Sequence, residues 1–105
     1  SYAPTAAASY PETLLGLRLR DAAMLIKQGL GLEVGTIDMG GWDTHVGQGN
    51  GSPDGRQSRL LAELDMALTA LMRDLGTQAT RVTVLVMTEF GRTFAQNANG
   101  GTDHG

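Results

Sequence analysis

Apolar residues recur at three- and four-residue steps in two stretches of the chain, then run together in a third. In the first stretch Leu15, Leu19, Ala22, Ala23, Ile26 and Leu30 mark one stripe, the spacing of an amphipathic helix. Pro11 suits the first turn of that helix, where its missing N–H is not needed, and Gly29 and Gly31 end it. The second stripe is longer: Leu60, Leu61, Leu64, Ala67, Leu68, Leu71, Met72 and Leu75, with Gly76 as its stop. It predicts a helix over 56–75. Residues 82–87, Val-Thr-Val-Leu-Val-Met, are nearly all apolar and rich in β-branched side chains. That pattern predicts a strand covered on both faces, as in a parallel sheet. Residues 32–39 predict a further strand, which Gly35 and Asp38 weaken.

The order helix, strand, helix, strand makes a βαβ unit with the 56–75 helix as crossover. The expectation is therefore an α/β fold, a parallel sheet with flanking helices. Residues 1–9 lack periodicity and read as a loop or frayed end. Between Gly40 and Gly55 stand six glycines and one proline, a loop long enough to imply function or disorder.

Composition narrows the function classes. The chain has 105 residues and 41% hydrophobic content, enough for one small domain. A net charge of -3 argues against a nucleic-acid partner, which requires a basic face. Cysteine is missing, so disulfides and thiolate metal sites are excluded. No apolar run approaches the roughly 20 residues needed to span a bilayer.

The two histidines lie beside aspartates in glycine-rich surroundings. His45 follows Asp43 in Gly40-Gly41-Trp42-Asp43-Thr44-His45, and His104 follows Asp103 in Gly100-Gly101-Thr102-Asp103-His104-Gly105. In open α/β sheets ligands bind beyond the carboxyl ends of the strands. The first block follows the first expected strand, and Thr88-Glu89-Phe90-Gly91-Arg92-Thr93 follows the second. Convergence of Asp43, His45, Glu89, Asp103 and His104 would provide oxygen and imidazole ligands for a divalent ion, zinc or manganese among them. Arg92 would hold a phosphate, sulfate or carboxylate through two parallel hydrogen bonds. Each cluster also has a plainer reading: Asp-x-His and Asp-His as hydrogen-bonded turns, Glu89 and Arg92 as an exposed ion pair of little energetic value, Trp42 as a packing anchor.

The three blocks together resemble the signature blocks of the DUF1501 family, in order and spacing. The resemblance implies a relative of the alkaline phosphatase and sulfatase superfamily, exported to the periplasm, with a chain several times longer than this one. It implies that residues 1–105 are a C-terminal-half piece of an alkaline-phosphatase-like domain, inactive by itself, with the nucleophile lying upstream. The implied metal ligands are Asp43, His45, His104 and, less firmly, Asp103, holding zinc or otherwise Mn, Mg or Ca. Glu89 and Arg92 take the implied catalytic roles, against an anionic small-molecule ester. Two alignments are available, and the first is preferred because an expected buried strand precedes Glu89 and none precedes Asp103. One puts Glu89-Phe90 where such enzymes carry an Asp-His pair, and the other puts Asp103-His104-Gly105 there. Because phenylalanine cannot ligate, the first alignment removes a second metal site. A non-catalytic exported metal- or ligand-binding module of the same fold is the competing reading. A sheet of only two strands leaves edges open, so self-association is also expected.

Overall fold

Thr13 starts the first helix. Its side-chain oxygen accepts a hydrogen bond from the Gly16 N–H at 3.2 Å, satisfying one of the donors a helix N-terminus leaves free. Helix α1 then runs Leu14–Lys27 and ends at Gln28, with Gly29 in the left-handed region at φ 64°. Pro11 lies before the cap rather than inside the first turn. Helix α2 runs Arg56–Leu75, and Gly76, at φ 57°, stops it and begins a 3-10 segment, Gly76–Arg81. The computed structural model describes residues 2–5, 8–29, 34–42, 55–88, 97–99 and 101. By its contacts the chain divides into two units, 1–39 with 63–84, and 40–62 with 85–105.

The first unit has a helical core. Leu15, Leu19 and Ala23 of α1 and Ala67, Leu71 and Leu75 of α2 are buried in one cluster. These are stripe positions, so the 3.6-residue period correctly selects the inward face. Ile26, Leu64, Leu68 and Met72 pack at its margin, as do Tyr10, Ile37, Met39, Ala79 and Val82. Leu61, expected on the stripe, is 51% exposed. Leu30 lies outside the described residues.

The α/β expectation is overturned. The described residues form two helices and a 3-10 segment, with no strand and no sheet among them. Residues 34–39 keep the alternation of a strand: Ile37 and Met39 are half-buried while Thr36 and Asp38 are exposed. They place those side chains on the helical core without joining a ladder. Residues 82–88 likewise form no ladder, and beyond Val82 their apolar side chains face solvent, Leu85 at 75% and Met87 at 79% exposure. The physical reason is pairing. A strand's N–H and C=O groups need a neighbouring strand, and a β-branched run provides propensity but no partner. The helix pair buries its stripes without one.

In the second unit Gly41 takes φ 93°, a conformation that favours glycine. A Cβ built there would lie 3.5 Å from Leu60 Cδ2, ordinary contact, so backbone conformation rather than crowding is what favours glycine at this position.

Candidate functional site

The expected ligands and catalytic groups, Asp43, His45, Glu89, Arg92, Asp103 and His104, all lie outside the described residues. Both histidines are therefore among them. Among the described residues no group of three His, Asp or Glu side chains is placed to hold a metal ion. What is described is the approach to two of the blocks. Gly40, Gly41 and half-buried Trp42 lead into Asp43. Asn97 and Gly101 meet: the Asn97 N–H donates to the Gly101 carbonyl at 2.7 Å. The Asn97 side-chain oxygen accepts from the N–H groups of Asn99 at 2.9 Å and Gly101 at 3.0 Å. An asparagine that satisfies two backbone donors through its side chain is a self-contained turn, and Gly101 at its end is buried. Gly101 of the third block is thus held by Asn97. The Asn-x-Asn-Gly-Gly sequence signals a turn of that kind, although the sequence reading had assigned Asn97 no role.

The described residues also contain a charged centre that the sequence reading missed. Asp74 lies in the last turn of α2 with its side chain fully buried. A carboxylate there opposes the negative end of the helix dipole, and burial of an unpaired charge is costly. Its partners offset both effects. The Lys27 ammonium, in the last turn of α1, donates to Oδ1. The Thr5 N–H donates to Oδ1 at 2.9 Å, and the Tyr2 and Tyr10 hydroxyls donate to Oδ2 at 2.8 Å each. The Thr5 hydroxyl lies 3.0 Å from both Oδ1 and the Asp74 carbonyl, and accepts from Lys27 Nζ at 3.1 Å. Lys27 Nζ also stands 5.3 Å from the centre of the Tyr2 ring.

This arrangement sets the protonation states. Burial by itself pushes the Asp74 carboxyl up, but Lys27, the Thr5 N–H and the two tyrosine hydroxyls together hold it well below the usual carboxylate range. Burial and the hydrogen bond to Asp74 push the Tyr10 hydroxyl far up, and Tyr2 shifts the same way. Burial works against the Lys27 ammonium, yet its hydrogen bond to Asp74 and the nearby Tyr2 raise its pKa on balance. The cluster is a charge-neutral Lys–Asp pair sheathed in neutral hydroxyls. Its groups stay in one protonation state across the neutral range, which suits fastening more than proton transfer.

Residues 2–5 and 8–10 are irregular, in line with the loop expected for 1–9, and they are fastened to the helices at Asp74 rather than frayed. One signal was available. Asp74 stands three residues after Leu71 and seven after Ala67, on the buried stripe itself, where a carboxylate requires partners.

The family model for proteins of unknown function, DUF1501, matches residues 15–105. The chain belongs to the DUF1501 family. All three blocks, all of α2 and α1 from Leu15 onward fall within the matched range, whereas the Tyr2, Thr5 and Tyr10 partners of Asp74 precede it. No curated protein and no solved structure matches this DUF1501 chain. No described helix is long and apolar enough to cross a membrane.

Proposed function

We propose that the two glycine-rich Asp/His blocks of this DUF1501 chain, with the Glu89/Arg92 block, contribute to a divalent-metal site that binds an anionic ester, and that the intact protein hydrolyses a phosphate or sulfate ester there. The observation that carries the reading is the sequence itself: both histidines of the chain sit beside aspartates in glycine-rich blocks. The donor set fits the metal class, since two imidazoles and two carboxylates suit zinc or a similar borderline ion. Asp43, His45 and His104 would hold it, with Asp103 as a fourth donor. A bound divalent ion would supply Lewis-acid polarisation of the ester oxygen. Arg92 would clamp the anion, and Glu89 would take a proton from the attacking group. The likeness of the blocks to phosphatase and sulfatase chemistry, and an extracytoplasmic location, belong to the same proposal.

Zinc titration by calorimetry, with hydrolysis of p-nitrophenyl phosphate and p-nitrophenyl sulfate, tests it on the intact protein. Asp43→Ala and His104→Ala should each weaken zinc binding at least tenfold and remove turnover. Unchanged affinity in both variants would overturn the ligand assignment. Tight binding without turnover of either ester would favour the alternative, a non-catalytic metal- or ligand-binding module.

A further inference from the structure

Residues 2–10 carry one internal hydrogen bond among the described residues, from the Ala8 N–H to the Thr5 carbonyl at 2.9 Å. The described residues 2–5 and 8–10 have no helix or strand of their own. No described residue of the segment is fully buried: Tyr10 packs on the core and Tyr2, Pro4 and Ala8 are half-buried, while Ala3, Thr5 and Ser9 are exposed. Every described hydrogen bond from this segment to the helices ends on Asp74 or on its partner Lys27.

We propose that residues 2–5 and 8–10 dock and release together as a strap, with Asp74 as its latch. The contacts are interdependent. Tyr2 and Tyr10 both donate to Oδ2, and Thr5 donates to Oδ1. Loss of the two hydroxyls leaves one buried carboxylate oxygen without a donor, and water must enter to satisfy it. Water entry competes with the Thr5 bond beside it. The buried cluster of the helix pair, Leu15, Leu19, Ala23, Ala67, Leu71 and Leu75, is built without the strap, which adds Tyr10 at its margin. A segment with no fully buried residue among those described and one polar anchor opens more readily than such a core.

Amide hydrogen exchange resolved by NMR tests the strap on the full chain. The amides of Thr5 and Ala8, both hydrogen-bonded, report on docking, and those of Leu19 and Ala23 report on the helices. In the Tyr2→Phe/Tyr10→Phe double variant, Thr5 and Ala8 should exchange at least tenfold faster while Leu19 and Ala23 keep their rates. The double variant leaves the Lys27–Asp74 pair and α2 intact, so the helices have no cause to unfold. Asp74→Ala should give the same strap release with a larger loss of global stability. Unchanged Thr5 and Ala8 rates in the double variant would overturn the latch. Rates that rise equally in the strap and in Leu19 and Ala23 would show one folding unit, and would overturn it as well.

Discussion

Lys27, in the last turn of α1, donates to Asp74, in the last turn of α2, so the ends of two helices are tied by one charged pair. The Asp74 side chain is fully buried, so the pair matters less for its Coulomb energy than for what either partner becomes alone. Lys27→Met should destabilise the chain by about 3 kcal/mol, the scale for leaving a buried charge without its counter-ion. A double-mutant cycle with Asp74→Asn, read from urea midpoints, should return a coupling energy above about 1 kcal/mol, as expected for groups in one network. An additive pair of losses would separate the two residues.

Stability should fall at both ends of the pH scale. Asp74 has a depressed pKa in the folded chain against an unfolded value of 3.8. Its contribution is present above that value and is lost as pH falls below it, because the unfolded chain then binds a proton that the folded chain refuses. The slope for one proton is about 1.4 kcal/mol per pH unit. Asp74→Asn should flatten this acid limb in a urea series from pH 6 to pH 3.

Tyr10, Tyr2 and Lys27 have raised folded values against 10.0, 10.0 and 10.5. Their contribution is full below pH 10 and is lost above it, as the unfolded chain gives up protons that the folded chain keeps. Tyr10→Phe should lessen the decline between pH 9.5 and 11, measured by helical circular dichroism in urea.

Core and exposed apolar positions should differ sharply. Leu71→Ala removes a buried side chain from the helix interface and should cost about 2–5 kcal/mol. Leu85→Ala, at a position mostly in solvent, should stay within about 0.5 kcal/mol. Comparable losses at both positions would mean that residues 82–87 are packed after all.

Two glycines should resist replacement for different reasons. At Gly16 a Cβ would lie 1.9 Å from the Pro11 carbonyl oxygen, so Gly16→Ala must move the chain entering α1 and should cost about 1–3 kcal/mol. At Gly76 the space is open but φ is 57°, so Gly76→Ala should cost about 1 kcal/mol through backbone strain alone. Thermal midpoints of the two variants check both values.

The helices were legible because their evidence is local. Leu15, Leu19 and Ala23, like Ala67, Leu71 and Leu75, repeat at the helical period, and that period holds whatever the helix packs against. The expected strands failed on a non-local condition: Val84, Leu85 and Val86 have strand propensity, but a ladder needs a partner that propensity does not supply. The three Asp/His and Glu/Arg blocks were legible as chemistry, since residue type and spacing lie in the sequence itself. Asp74 was hidden for the opposite reason, because Tyr2, Thr5, Tyr10 and Lys27 are separated from it by between 47 and 72 residues. The sequence alone determined the helical faces, the glycine stops and the donor types available to a ligand. Only the tertiary structure decided that residues 34–39 and 82–88 join no ladder, and that the N-terminal segment is pinned. Both outcomes turn on which backbone and side-chain groups meet across the fold, and sequence periodicity carries no record of such meetings.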